Sequence, residues 1–470
     1  MNNNILILSL FCLSPALYGE SYDDFVAQMD TEYKSFVTQM DKDFAKSLGK
    51  EWKEFKTKIK PSYQNPKPSI IPPAIPTPII KEEDSSPKIN IIIINPPQKA
   101  TPILPIEPKI PQGYKRISFN FFSQDINLVY NKKLNYKLNN FNNTTIAHYW
   151  LKVSNIENDN FLGQIKEYKK KLNLNDWHLY LLVKEIGIHI INNKNNSNLL
   201  TWFLLNKLGY DVKIGNANNN VYLMPSSNQL IYNTQYSLIN QRRYYNFIYR
   251  GSIRTYPTQF NNTKTLDFDN ATSPHLKEDI RHRVLSFNDA GKEYHISIPY
   301  NKNLIDLYNA YPSLNWQYYF SQPISPLTKF EIFKQLKGIM TNMTEVQAVN
   351  FLLHLTQSGF EYATDREQFG RERSLFLEES LNYPSSDCED RSIFFGKLVK
   401  ELLGLRVVGL HYPNHLATAV EFKSDVKGES VIYQNRRYII CDPTYIGADI
   451  GHAQPKFKGF RDIEFIPINY

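Results

Sequence analysis

Apolar and polar positions divide the chain into stretches of different period. Over residues 22–58, Phe25-Val-Ala-Gln-Met-Asp is echoed by Phe36-Val-Thr-Gln-Met-Asp, and Tyr33, Phe44 and Phe55 keep the same interval of 11. An 11-residue period holds apolar side chains on one stripe of a nearly straight helix. That stripe suits either self-association or an envelope partner, or a helix lying on its own protein. The pattern then stops. Residues 60–113 hold 14 of the 27 prolines, which excludes a regular helix or a central strand and predicts an extended, semi-rigid spacer. Within it, Ile91-Ile-Ile-Ile is either a strand docking on a domain edge or an apolar segment masked by its prolines.

From about residue 114 the pattern is that of a globular protein. Helical spacing appears near 176–191, 199–209, 326–338 and 345–358. Strand-like alternation appears at 212–224, at 236–250 and in a block near 252–300. Sliding the chain along itself matches Leu199-Leu-Thr-Trp-Phe-Leu-Leu-Asn-Lys-Leu-Gly with Phe394-Phe-Gly-Lys-Leu-Val-Lys-Glu-Leu-Leu-Gly, and Asn240-Gln-Arg-Arg-Tyr-Tyr with Gln434-Asn-Arg-Arg-Tyr-Ile, at offsets of 195 and 194. The match reads as a degenerate internal repeat or as two helix–strand units with generic patterning. As a repeat, it sets Asn193, Asn220 and Ile248 opposite Cys388, His415 and Asp442.

Those last three residues carry the chemistry. Cys388 lies in Ser-Ser-Asp-Cys-Glu-Asp-Arg-Ser, His415 in Asn-His-Leu-Ala-Thr-Ala-Val and Asp442 in Ile-Ile-Cys-Asp-Pro-Thr. A thiol, an imidazole and a carboxylate are the parts of a nucleophilic site. Ser386 and Glu389 read as a capping box, followed by Ile393, Phe394, Leu398, Val399 and Leu402 at helical spacing and a stop at Gly404. Cys388 would then sit in a first helical turn, where unpaired amides favour a thiolate while Asp387, Glu389 and Asp390 oppose it. His415 opens a strand whose Ala417 and Ala419 leave room on its face, and Asp442 leaves a hairpin pinned by Pro443. His411 is a competing imidazole in a loop-like setting.

The helix-start Asp-Cys-Glu-Asp, the strand-start histidine and the Asp-Pro-Thr after a strand resemble the transglutaminase-like superfamily over about 340–455, with 160–250 as a weaker, catalytically empty version. The resemblance implies an α+β, papain-like core in two tandem units. It makes Cys388 the nucleophile, His415 the base and Asp442 the orienting acid. The Cys388 backbone amide and Tyr383 are its oxyanion candidates. It implies a protein or peptide substrate attacked at a peptide or glutamine-type amide, by hydrolysis or acyl transfer. A bacterial branch of the superfamily holds periplasmic cysteine proteases, some calcium-dependent, and calcium enters on that ground alone. The alternative is a non-catalytic binding or assembly module of a cell-envelope complex.

The remaining features set limits. The first 19 residues have a short apolar core that turns polar at Glu20, the pattern of a signal peptide, and imply periplasmic or secreted export. No other segment suits a membrane span. A net charge of +8, scattered rather than striped, gives no support to nucleic-acid binding. Cys388, His411 and His415 lack paired zinc-type spacing, and there is neither a phosphate loop nor a dinucleotide fingerprint, so no metal or cofactor is expected from the motifs. Beyond the leader only Cys388 and Cys441 remain. They are a possible disulfide pair, but Cys441 points away from the face that would carry Asp442. The division expected is 1–19 leader, 20–59 helix, 60–113 linker, 114–255 degenerate unit, 256–324 β-rich connection and 325–470 catalytic unit, with helix and linker apart from the body.

Overall fold

The computed structural model describes residues 22–61, 86–92, 94–97 and 110–468, so the leader and much of the proline spacer lie outside the described residues. The architecture is α+β. The chain opens with helix α1 (Tyr22–Leu48), followed by the short strands β1 (Lys53–Phe55) and β2 (Thr57–Ile59). The helix was expected to lie apart from the body, and its second half does not. Phe44 and Leu48, with Trp52 just beyond the helix, are buried, with Phe44 edge-on to Trp150 at 4.7 Å. Asp41 ties that half down by accepting from Trp150 Nε1 at 3.0 Å and pairing with Lys207 at 2.6 Å. The 11-residue stripe also ends early, because Phe55 belongs to β1.

The upstream unit begins with a hairpin, β3 (Tyr114–Phe121) and β4 (Gln124–Asn131). Helices α2 (Asn143–Ser154), α3 (Asp159–Lys171), α4 (Asp176–Ile190) and α5 (Lys194–Lys207) follow. Then come strands β5 (Val212–Ala217), β6 (Asn220–Ser227), β7 (Gln235–Ile239), β8 (Arg242–Asn246) and β9 (Ile253–Thr255). Asparagine builds much of this. Asn142, Asn175 and Asn193 cap α2, α4 and α5 through their side chains, and Asn218 and Asn219, both at positive φ, form the two-residue turn between β5 and β6.

The segment expected as a β-rich connection holds a second hairpin, β10 (Ile280–Asp289) and β11 (Lys292–Asn301), then α6 (Lys302–Tyr308) and α7 (Trp316–Ser321). The chain continues through α8 (Pro326–Met340), α9 (Glu345–Ser358), β12 (Glu361–Tyr362), α10 (Asp365–Phe369), α11 (Leu377–Asn382), β13 (Ser385–Ser386) and α12 (Cys388–Leu398). It closes with β14 (Arg406–Tyr412), β15 (His415–Glu421), β16 (Ser430–Tyr433), β17 (Arg436–Cys441) and β18 (Glu464–Pro467).

The two sheets have the same strand order. One runs β9-β5-β6-β8-β7 and the other β18-β14-β15-β17-β16, with every neighbour antiparallel. The correspondence extends upstream. β3 and β4 pack on α4 and α3 as β10 and β11 pack on α9 and α8. Tyr130-Asn131-Lys132 and Tyr300-Asn301-Lys302 leave the two hairpins alike, each asparagine capping the helical turn that follows. Two differences stand out. β1 and β2 cover both edges of the upstream sheet, closing its exposed ladders. And α4 passes to α5 through 191–193, whereas α9 reaches α12 only after the long excursion 359–387.

The apolar stretch of the spacer docks on the downstream unit. Ile89 N–H donates to Met343 O, Ile92 N–H to Leu402 O, and Ile89, Ile91 and Ile94 pack on the core. One apolar cluster runs from Phe44 through Trp150, Trp202 and Leu307 to Phe394, so the two units share a core.

Candidate active site

Cys388 is the first residue of α12. The capping box expected there does not form: Asp387 is the N-cap and makes no side-chain cap bond. Ser386 is held instead in β13, paired with Tyr362, and its Oγ accepts from Arg391 Nε at 3.1 Å. Ile393, Phe394 and Leu398 are fully buried and drive the helix onto the sheet, where Ser392 Oγ donates to Leu416 O at 2.8 Å. Cys388 thereby faces the start of β15, with the Leu416 backbone N–H directed at its sulfur.

His415 opens β15 opposite Tyr412, the last residue of β14. Its Nε2 lies 2.8 Å from Asp442 Oδ2, and both residues are buried. Asp442 leaves β17 and is fixed from several sides. Thr444 donates to its Oδ1 from Oγ1 at 2.7 Å and from N at 3.0 Å, Gln454 Nε2 donates to Oδ2 at 2.9 Å, and Gln357 Nε2 donates to its carbonyl at 3.2 Å. The room expected beside the imidazole is filled. Phe457 stacks on His415 with centroids 5.0 Å apart and planes 4° from parallel. Burial opposes the Asp442 charge, but His415 and the Thr444 donors outweigh it and hold the carboxyl below its usual range.

The thiol is less committed to the imidazole. No hydrogen bond joins Cys388 to His415 among the described residues. The Cys388 Sγ lies 3.1 Å from Glu389 Oε2. Burial, then the charges of Glu389 and Asp387, push the thiol well above its ordinary pKa.

Those acids belong to a buried group. Asp365, Asp387 and Glu389 each bring a carboxylate oxygen to within 4.8 Å of the others. Burial and mutual repulsion raise Glu389 to about 8 and Asp365 to about 10, and burial raises Asp390 to about 7. Asp387 Oδ1 is buried without a hydrogen-bond partner. An all-oxygen set with an orphaned carboxylate oxygen fits a hard cation such as calcium. Glu389 also lines a cavity of about 30 Å³ with Tyr232, Trp316 and Arg373, room enough for a water or an ion.

The other candidates fall elsewhere. The Tyr383 hydroxyl donates to Asn309 Oδ1 at 2.8 Å and accepts from Arg373, and the structure gives it no contact with Cys388. His411 pairs with Glu464 at 2.8 Å and sits edge-on to Trp316. Cys388 and Cys441 are both free thiols, which closes the disulfide alternative. In the upstream unit Asn220 opens β6 as His415 opens β15. Asn193, however, is a helix cap one position before the residue that starts α5. The amide oxygen facing the equivalent strand N–H, that of Val221, comes from Asn195 at 3.0 Å. Ile248 is exposed. The upstream positions therefore hold no nucleophile, base or carboxylate.

Gln454, Phe457 and Asp365 were missed by the sequence reading. Asp365 lies inside the capping box that Thr364 forms with Glu367, a readable helix-start signal, but nothing in its spacing ties it to Cys388. No protein-family model matches the chain, and neither a curated protein nor a solved structure matches it.

Proposed function

We propose that the chain is an exported thiol enzyme with a papain-like, transglutaminase-like core that acts on peptide or glutamine-type amide bonds. The buried His415–Asp442 pair at 2.8 Å, set beside a cysteine in the first turn of a helix packed on the histidine's strand, is the observation that carries this reading. With Nε2 committed to Asp442, the ring's Nδ1 is the nitrogen left to take the thiol proton. Cys388 then attacks the carbonyl carbon, the C–N bond breaks, and the amine leaves with the proton from His415. The thioester is resolved by water or by a second amine.

Asp365, Asp387 and Glu389 would hold a calcium ion. Such an ion supplies positive charge beside the thiol and offsets the carboxylates that oppose the thiolate. Export rests on the leader pattern of the first 19 residues. Among the described residues no helix is long and apolar enough to cross a membrane.

The second reading, a binding module, draws support from a thiol that is 5% exposed and bonded to a carboxylate. Alkylation by iodoacetamide across pH, with and without calcium, separates the two. Labelling confined to Cys388, faster than a free cysteine and lost in Cys388→Ala, supports the enzyme. A thiol no more reactive than free cysteine under both conditions overturns it.

A further inference from the structure

Tyr362 lies beside the segment that leads into α12 and Cys388. Its strand β12 pairs with β13, placing Tyr362 opposite Ser386, two residues before the thiol. Arg391, one turn into α12, lies under the ring with its Cζ 5.1 Å from the centroid. That guanidinium is fixed: it is 1% exposed and donates to Ser386 Oγ at 3.1 Å, Gln357 O at 3.1 Å and Phe360 O at 2.9 Å. The tyrosine is thus seated on a rigid base. It is also 41% exposed, where Cys388 and His415 are each 5% exposed.

The hydroxyl is within electrostatic reach of Cys388, Asp387 and Glu389. Burial first, then the Cys388 sulfur and the Asp387 and Glu389 carboxylates, raise the phenol, so it keeps its proton throughout the neutral range. No hydrogen bond occupies that hydroxyl among the described residues, in contrast to Tyr383, whose hydroxyl is bonded to Asn309. A protonated, unengaged phenol beside a nucleophile is the group an oxyanion needs.

We infer that Tyr362, with the Cys388 backbone N–H, is the oxyanion donor of this site, an inference that rests on Cys388 being the nucleophile. The Cys388 amide lies in the first turn of α12 and has no carbonyl within its own helix to bond. When the sulfur bonds to the carbonyl carbon, the π pair moves onto oxygen, and both donors bond that oxygen. When the pair returns, the C–N bond breaks and the amine takes its proton from His415. Tyr362 keeps its own proton throughout.

Two reagents isolate this role. p-Nitrophenyl acetate acylates a thiol through an oxyanion, and iodoacetamide alkylates it without one. Tyr362→Phe keeps the ring on Arg391 and removes only the donor. It should slow acylation of Cys388 by about 10²-fold while leaving alkylation within about 2-fold of wild type. Tyr383→Phe should leave both rates near wild type. Unchanged acylation in Tyr362→Phe overturns the assignment, and so does an equal fall in both rates, which would mark a structural role. A wild-type Cys388 that neither reagent modifies faster than free cysteine removes the nucleophile itself, and the Tyr362 assignment with it.

Discussion

The Cys388 sulfur sits 3.1 Å from a Glu389 carboxylate oxygen, while the His415 imidazole is held 2.8 Å from Asp442 on its other side. The imidazole is oriented and the thiol is restrained by its sequence neighbour. Whatever neutralises Glu389 should free the thiol.

Asp442→Asn should lower the acylation rate of Cys388 by about three orders of magnitude, because an amide cannot hold the imidazole in the same tautomer. Gln454→Leu removes one donor to the same oxygen and should cost far less, about 3- to 10-fold. Stopped-flow measurement of p-nitrophenolate release would rank the two, and an Asp442→Asn rate equal to wild type would remove the orienting role.

The crowded acids predict a fall in stability with rising pH. Folded Glu389 and Asp365 titrate at about 8 and about 10, above the unfolded carboxylate value of about 4. Between these limits the native state binds more protons than the unfolded one, so stability drains as pH climbs from about 4 and levels off only beyond the folded values. Thermal melts from pH 5 to 9 in chelator should show a declining Tm, and calcium should flatten the decline. Asp387→Asn should show a shallower slope and a weaker calcium effect.

His354 predicts a loss of stability in the same direction from a charged group held by its partners. It bridges Asp289 at 2.5 Å and Asp449 at 3.0 Å, joining the second hairpin to the loop that leads from Asp442 to Gln454. Burial opposes its charge, but the two carboxylates prevail and raise it to about 9. Its contribution, on the order of 3 kcal/mol, is complete below the free histidine value of about 6.5 and is lost as pH rises through about 9. His354→Gln should therefore lower Tm strongly at pH 6 and little at pH 9.5. Equal losses at both would exclude the charged bridge.

The N-terminal helix should divide at about residue 40. Val26, Met29, Tyr33 and Phe36 are exposed on its first half, while Phe44 and Leu48 are core. A chain beginning at residue 40 should melt with the intact protein but show a smaller mass by light scattering if the exposed stripe is a self-association seam. Phe44→Ala should cost about 3–5 kcal/mol. A chain beginning at residue 62 should lose the fold, since it lacks Trp52 and both edge strands of the upstream sheet.

Much of this was legible. Helical spacing marked α4, α8 and α9 closely, the strand-start position of His415 was readable from Asn-His-Leu-Ala-Thr-Ala-Val, and two near-equal offsets pointed to units whose sheets share one strand order. Three things were not. Ser386 looked like a helix cap because Ser-x-x-Glu is a local signal, whereas a distant strand, at Tyr362, claims it. Phe457 and Gln454 reach His415 and Asp442 by tertiary packing, which leaves no period in the chain. Asparagine's work in capping helices and filling left-handed turn positions rests on local backbone geometry, which leaves no hydrophobic period either.

The excursion 359–387 separates the two halves of this molecule more deeply than any point change. It carries Tyr362, Asp365, Arg373 and Asp387, none of which has a counterpart between α4 and α5. Writing cysteine, histidine and aspartate into positions 194, 220 and 248 would thus recreate a triad on paper and leave it without its acids or its hydroxyl. If both units descend from one duplicated ancestor, the gain or loss of that single segment, more than any drift at the three reactive positions, is the event that set their fates apart.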